Sequence, residues 1–353
     1  MSALFGIAPY LIVGLLLFAG IRGLLLTESE GVQIEGQSFT QDVIAPLRPL
    51  LILFVVAGHC DSMTGCSNLV LRALHMGTPA VAVFFFISGY GLLASYEKRG
   101  SRYLHGFCRR CIVKLFVPMG LAVVAYQFVY ALWGDEAFSH RSWDVIKNGY
   151  IDCLLPHCWF VFAIAYMYMT FKIAYGLLHG RCAIFVASAL VFVYVAGFIA
   201  APHCWWLTSI SFIFGLLYRK YEGVIVDIVS RYSWMLYFSL ALIYSGCVVL
   251  ALHGGLVGIM FKMASLSLGG PLIAVFFLSS PVKCTWSWLL VLSAVSFETY
   301  LVHGIPKELL ARFQLQPIVY FCLVYVISVV MATGLKWISV PIKNRVLKMV
   351  GVS

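Results

Sequence analysis

The chain has few charged residues. Only 11% of its 353 residues are Asp, Glu, Lys or Arg, whereas soluble globular domains carry roughly 25%. It also lacks a long hydrophilic segment, because 62% of its residues are hydrophobic and apolar runs of about 17 to 24 residues follow one another. A run of that length spans a bilayer as a helix. These absences exclude a soluble enzyme and predict an all-α, polytopic transmembrane helix bundle of about 10 to 11 helices with no soluble domain.

The apolar runs give the positions of the predicted spans. We expect them at about 3–26, 47–65, 78–95, 115–133, 158–178, 183–201, 203–219, 233–252, 256–279, 288–304 and 317–335. The helix count depends on the first span, which contains Pro9, and on the short break near Pro202. Residues 1–46 are expected to be an extra helix and a cytoplasmic linker, 47–340 a membrane domain and 341–353 a basic tail.

Several familiar signals are missing. Eleven cysteines are an odd number and several lie in apolar runs, where cysteine is a small hydrophobe, so no disulfide framework is predicted. Cys108 and Cys111 have the spacing of half a zinc knuckle without a second half, and no metal is expected. The first apolar run lacks a positive n-region and is long for a signal peptide, which favours a retained helix.

Acidic residues are scarce: 14 stand against 24 basic ones, for a net charge of +10. Such a balance would suggest nucleic acid in a soluble chain, but the break 97–114 alone holds Lys98, Arg99, Arg102, Arg109, Arg110 and Lys114. The positive-inside rule places that break in the cytoplasm. Alternation then puts most other Lys and Arg residues and the C-terminus inside, and the N-terminus outside. We therefore expect a multi-pass protein of the cell (cytoplasmic) membrane, with the lipid bilayer and not nucleic acid as its partner.

Few ionisable side chains fall inside apolar runs, where each costs about 2.5 to 3.5 kcal/mol on insertion scales. Arg48 and His59 are eleven residues apart, which is three helical turns and about 16 Å along one face. That face carries a fixed cation at the cytoplasmic edge and a titratable imidazole deep in the membrane, as a functional site would. A snorkelling arginine and a core histidine bonded to a carbonyl explain these two residues equally well.

Two neighbouring segments have competing interpretations. The aromatic run 84–86 is followed by Ser88 and Gly89. Ser88 as a nucleophile lacks an elbow-like turn and an adjacent base, so close helix packing is favoured. Arg109 and Arg110 suit bidentate phosphate binding on the cytoplasmic side, or else only fix topology and touch anionic lipid.

The last polar group lies near the C-terminus. Tyr300 and His303 share a helix face at i, i+3, whereas Glu298 and His303 cannot pair on one regular helix. Glu298 is therefore expected to pair with a cation from another helix. His303 lies near the predicted outer end, where a hydrated surface histidine is the plain alternative. Trp159 lies at the outer entrance of a helix, where an interfacial aromatic is common.

Together these segments resemble the acyltransferase 3 family of integral membrane O-acyltransferases, in family order over roughly 45–340. The resemblance rests on the Arg48/His59 helix, the aromatic stretch 84–90 with its Ser-Gly, the arginine-rich loop 102–118, the Trp-Phe helix start at 157–160 and the Tyr-Leu-x-His element at 300–303. The family core usually begins with the Arg/His helix, so residues 1–46 are an extra element. Many relatives carry a soluble domain after the core, whereas this sequence ends at Ser353, and direct or partner-assisted access to the acceptor is expected.

The resemblance implies transfer of acetyl from cytoplasmic acetyl-CoA to a hydroxyl of a surface glycan, a lipid-linked saccharide or a similar acceptor. The acyl-CoA donor would bind Arg102, Arg109, Arg110 and Ser88, with Arg48 positioning it. His59 would be a general base or a transient acyl carrier. The acceptor side would be formed by Trp159, Glu298, Tyr300 and His303.

Two other classes compete with an enzyme. A transporter or flippase of a glycan or lipid-linked substrate also suits buried Arg and His residues, but matching halves with broken helices are not found in the sequence. A non-catalytic scaffold would not need Arg48 and His59 aligned on one face.

Overall fold

The computed structural model describes residues 41–64, 74–133, 155, 157–200, 203–278 and 287–351. The predicted first span at 3–26 and most of the predicted outer loop 134–157 lie outside the described residues. Across the described ranges the chain is α-helical with short 3₁₀ turns and contains no strand. The prediction of an all-α protein is confirmed.

The helices follow the apolar runs of the sequence. In chain order they are α1 (Gln41–Thr64), α2 (Gly77–Arg99), α3 (Phe107–Trp133), α4 (Trp159–Leu177), α5 (Gly180–Gly197), α6 (Ser211–Lys220), α7 (Glu222–Leu250), α8 (Gly255–Leu278), α9 (Ser287–Ala294), α10 (Ser296–Val302), α11 (Gly304–Leu310) and α12 (Pro317–Met349). Short 3₁₀ turns cover Gly100–Leu104, His203–Trp205 and Ala251–His253.

Within the described residues, six helical segments are long and apolar enough to cross a membrane, and Ile44–Cys60 and Phe238–His253 are shorter apolar helical segments. Large apolar side chains point outward from these helices, with Trp337 81% exposed and Phe185 and Leu242 also largely exposed. A bilayer would cover such surfaces, whereas water would not tolerate so many of them. The chain is a multi-pass membrane protein.

The structure changes several predicted boundaries. The break predicted at 97–114 is short, because α2 runs to Arg99 and α3 begins at Phe107. Gly100, the first residue of the 3₁₀ turn, and Gly106, just after it, both have a positive φ. The run 288–304 divides into α9 and α10. The last helix continues past 335 to Met349. The predicted span ends at 335 because charged residues begin there, whereas the backbone hydrogen bonds of α12 continue beyond that point.

The described chain forms two compact units. Unit 1 comprises residues within 1–98 and 191–294. In this unit α2 and α6 approach backbone to backbone, since a Cβ on Gly89 would overlap the carbonyl oxygen of Phe212, and one on Gly215 that of Phe86. Helix α9 packs against α1, and α7 and α8 enclose Val229 and Val275.

Unit 2 comprises residues within 99–190 and 295–353. Its α12 buries one stripe at helical spacing, which includes Tyr320, Val324, Ser328, Ala332 and Leu335, and α12 packs against α3, α10 and α11. Between α3 and α4, aromatic rings meet with centroids 5.6 Å apart for Phe116 and Phe162, and 6.1 Å apart for Phe107 and Phe171. These contacts bring the start of α4 and the α10–α11 junction into one compact unit.

Candidate active site

The two residues predicted to be catalytic lie on α1 of unit 1. The helix continues through Pro46 and Pro49, so Arg48 and His59 keep the three-turn spacing that the sequence indicated. Both side chains are half-buried, whereas the neighbouring Cys60 is fully buried. The geometry of a cation and an imidazole along one helix is thus present, and their catalytic role stays a prediction.

Ser88 lies half-buried on α2 of the same unit. The next residue, Gly89, is the one that meets the backbone of α6. The predicted close approach of helices at the Ser-Gly pair is therefore found at Gly89. Donor binding by Ser88 stays a prediction.

A buried carboxylate in unit 1 was missed by the sequence reasoning. Glu222 accepts hydrogen bonds from the Tyr90 hydroxyl, at 2.9 Å, and from the guanidinium of Arg219, which also donates to Glu97 Oε2 at 2.7 Å. These contacts join the end of α2 to α6 and α7 and offset the cost of a buried charge. Arg219 and Glu222 are three residues apart, which was a usable signal, but 220–232 was predicted to lie between spans.

The predicted donor arginines lie in unit 2, and two of them contact backbone carbonyls. Arg110 donates to the carbonyl oxygens of His105, at 2.7 Å, and Tyr103, at 2.5 Å, while Arg109 donates to that of Val350 at 2.7 Å. Arg102 is exposed on the 3₁₀ turn. A guanidinium has five N–H donors, so these contacts leave donors for an anion. Arg110 nevertheless has a structural role that the sequence did not indicate.

Four side chains of unit 2 form what we call the histidine cluster: His157, Tyr300, His303 and Lys307. The rings of His157 and His303 stack with centroids 5.6 Å apart and an interplanar angle of 19°. The Tyr300 hydroxyl donates to the His157 carbonyl, and Lys307 Nζ lies 3.5 Å from His157 Nε2. Residues before α4, on α10, at the α10–α11 junction and on α11 thus meet at one place.

His303 is only 1% exposed, so the alternative of a hydrated surface histidine is wrong. It lies at the junction of α10 and α11, and its Nδ1 is 2.6 Å from the carbonyl oxygen of Tyr300, one turn earlier. The predicted shared face of Tyr300 and His303 is confirmed, with ring centroids 5.8 Å apart. The apolar run ends near His303, which suggested an exposed position. The chain instead continues into α11, and the histidine stays buried.

His157 lies just before α4 with a positive φ of 67°. Burial first, and then the neighbouring His303 and Lys307, lowers the pKa of His157 to about 2. Its imidazole is therefore neutral at neutral pH and a very weak base. The Tyr300 hydrogen bond to its carbonyl holds the backbone in this less common conformation.

The two remaining predicted acceptor residues also lie in unit 2. Trp159 is buried at the first position of α4 and meets Phe160 edge-on, with ring centroids 6.1 Å apart. Glu298 is buried on α10, and its Oε1 lies 3.8 Å from Lys343 Nζ on α12. The expectation that Glu298 pairs with a cation from another helix is confirmed.

A family model described as an acyltransferase domain, Acyl_transf_3, matches residues 47–338. The chain belongs to the acyltransferase 3 family. No curated protein and no solved structure matches it. The matched range contains the predicted site residues of both units, and the resemblance drawn from the sequence is confirmed: this is a membrane acyltransferase.

Within unit 2 of the acyltransferase, Phe160 contacts both Trp159 and Tyr300, its ring centroid lying 5.3 Å from that of Tyr300. The predicted residues Trp159, Tyr300 and His303 are thereby brought together, and Glu298 is held at α12. The member that was missed is Lys307 on α11, which is only 9% exposed. Its i+4 spacing from His303 was the available signal.

Proposed function

We propose that this acyltransferase moves an acyl group, most simply acetyl from cytoplasmic acetyl-CoA, to a hydroxyl of a polysaccharide, a lipid-linked saccharide or a similar acceptor. The observation that carries the proposal is the half-buried His59 on α1, three turns from Arg48, inside the matched range. His59 lies in the last turn of the apolar segment Ile44–Cys60, and an ionisable side chain inside an apolar helix is costly to keep without a chemical use.

His59 acts on the acyl group or on the acceptor hydroxyl. As a general base it removes the hydroxyl proton while the oxygen attacks the thioester carbon. As a transient carrier it first takes the acyl group from the thioester, releasing the CoA thiol, and then passes it to the hydroxyl. Arg48 on the same face positions the donor.

Arg102, Arg109 and Arg110, together with Ser88, bind the donor. The charges of CoA lie on its phosphates, and guanidinium groups bind phosphates through two parallel hydrogen bonds. Arg102 and Arg109 are exposed and Arg110 is half-buried, which leaves N–H donors for such contacts. This assignment requires the segment 97–114 to face the cytoplasm.

Trp159, Glu298, Tyr300 and His303 form the acceptor side. A sugar offers a hydroxyl-rich edge and an apolar face, and the grouped Trp159, Phe160 and Tyr300 rings with the buried His303 suit both. The Glu298 carboxylate is balanced by Lys343 and so can remain buried.

Incubation with labelled acetyl-CoA tests the proposal. Protein in lipid nanodiscs is mixed with the glycan and lipid-linked saccharide fraction of its source cells, and we expect base-labile label in that fraction, as an O-acyl ester gives. A transporter would move substrate without transferring label. Longer acyl-CoA donors define the group transferred, and absence of transfer from every acyl-CoA contradicts the proposal.

The cytoplasmic position of the donor arginines has its own test. Single cysteines in a background that lacks the native ones, placed at 101 or 105, should be protected in intact cells from a membrane-impermeant thiol reagent and should react after lysis. Labelling of either position in intact cells would contradict the donor side of the proposal.

A further inference from the structure

The hydrogen bond between His303 and Tyr300 determines which nitrogen of the His303 ring carries the proton. Nδ1 lies 2.6 Å from the Tyr300 carbonyl oxygen. A carbonyl oxygen only accepts hydrogen bonds, so Nδ1 must be the protonated nitrogen. In the neutral ring Nε2 then carries the lone pair, and Nε2 is the atom that can accept a proton.

The surroundings hold the ring in this state. His303 is buried at the α10–α11 junction, its backbone N–H donates to the carbonyl of Thr299 at 3.1 Å, and the His157 ring stacks on it. The Tyr300 carbonyl belongs to the same helical turn, so the ring cannot turn over without losing this bond. A base that is fixed before the substrate binds loses little entropy in the reaction.

We infer that His303 is the base that takes the proton of the acceptor hydroxyl, with the Tyr300 carbonyl fixing its tautomer. The inference rests on the proposed function and deepens it, because it assigns the acceptor's proton to His303 rather than to His59. His157 is the weaker base of the two, because its Nε2 lies 3.5 Å from Lys307 Nζ. Burial lowers the pKa of both rings, that of His157 to about 2 and that of His303 to about 4.

The step balances as a simple acyl transfer. The acceptor O–H bond breaks and its proton goes to Nε2 of His303, while the hydroxyl oxygen forms a bond to the acyl carbon. The bond between the acyl carbon and its leaving group breaks, and the leaving group departs with the electron pair. The His303 imidazolium then gives the proton to the leaving group, so the ring ends in its starting form.

The variant His303→Asn separates a base from a packing residue. The Asn amide nitrogen can take the place of Nδ1 and donate to the Tyr300 carbonyl, but it offers no lone pair in the place of Nε2. With labelled acetyl-CoA and the acceptor fraction defined above, transfer to hydroxyl groups should fall by about 10² to 10⁴. Transfer to hydroxylamine, a neutral amine that needs no base, should be retained after subtraction of the reaction without enzyme.

The matched variant is His157→Asn, which should reduce hydroxyl transfer less than His303→Asn does. If both acceptors lose label equally in His303→Asn, the residue is structural and the inference is wrong. Hydroxyl transfer at the wild-type rate also overturns it. A wild-type protein that transfers no label from any acyl-CoA overturns the proposed function and this inference with it.

The tautomer can be measured without activity. The ¹⁵N spectrum of protein labelled at histidine, compared with that of His303→Asn, assigns the two nitrogens of this ring. We expect a protonated Nδ1 and an unprotonated Nε2 at neutral pH. The opposite tautomer, or a doubly protonated ring, would overturn the inference even in an active enzyme.

Discussion

The face of α1 in unit 1 and the histidine cluster in unit 2 reach their geometry by different routes. Arg48 and His59 share one continuous helix, and their relation follows from its 3.6-residue period. His157 and His303 are far apart in the sequence, yet their rings stack. The first arrangement is local, whereas the second exists only once the chain has folded. The spacing of Arg48 and His59 should therefore survive loss of tertiary contacts better than the stacking of His157 on His303.

Electrostatic surroundings also differ between the two regions. In unit 1 the buried Glu222 is compensated by the side chain of Arg219, whereas in unit 2 Arg109 and Arg110 donate to backbone carbonyls. Pairing with a carboxylate cancels charge, but bonding to a carbonyl leaves the positive charge in place. The arginines of unit 2 therefore keep the charge that an anionic donor requires.

Substitution of His59 should reduce acyl transfer more than any other change, and it tests the arrangement on α1. His59→Gln keeps hydrogen-bonding capacity but can neither accept a proton at neutral pH nor carry an acyl group. Acyl transfer should fall by about 10² to 10⁴, measured with labelled acetyl-CoA, and His59→Ala should fall as far. Both proteins should accumulate and melt in detergent as the wild type does. Near-normal transfer by a well-expressed His59→Gln protein would return His59 to the role of a core histidine.

Removal of the donor arginines should have the next largest effect. Arg109→Ala and Arg110→Ala should each raise the donor concentration for half-saturation about tenfold to a hundredfold, from loss of about 1.5 to 3 kcal/mol. Only Arg110→Ala should also lower the melting temperature clearly, because it frees the carbonyls of His105 and Tyr103. Arg110→Lys, which keeps the charge without the planar fork, is the matched control. Unchanged donor saturation in both alanine variants would leave these arginines as topology anchors.

Packing of unit 1 can be disturbed without touching ionisable groups. Gly89→Ala places a methyl group against the carbonyl of Phe212 and should destabilise the protein by about 1 to 3 kcal/mol through overpacking. Gly91→Ala, two residues further along α2, meets nothing within 4 Å and should be neutral or slightly stabilising. Thermal melts of both variants in one detergent measure the difference. Equal melting temperatures would show that α2 and α6 do not require this approach.

Loss of the Tyr300 hydroxyl from the histidine cluster should have the smallest effect of these changes. Tyr300→Phe removes the hydroxyl that donates to the His157 carbonyl and should cost about 0.5 to 1.5 kcal/mol of stability. Tyr166→Phe is the matched control, because it removes a similar bond to the Leu190 carbonyl elsewhere in unit 2. The two variants should melt alike, but Tyr300→Phe should transfer acyl groups more slowly. Equal rates would show that this hydroxyl only stabilises the fold.

Periodicity and composition together determined much of this protein. The all-helical, multi-pass fold, the relation of Arg48 to His59, the shared face of Tyr300 and His303 and the family all followed from the sequence. Each depends on neighbours within a few turns of one helix or on apolar length, which a bilayer selects strongly. The need of buried Glu298 for a cation was likewise readable, but the identity of Lys343 was not.

Tertiary structure alone decided which residues meet across helices. Nothing in the sequence relates His157 to His303 and Lys307, Arg110 to the carbonyls of Tyr103 and His105, or Tyr90 to Glu222. Each of these contacts joins residues from different elements, and no periodicity relates such elements to one another. The burial of His303 and the tautomer of its ring are likewise products of the folded chain, because hydration and hydrogen-bond partners are set by packing.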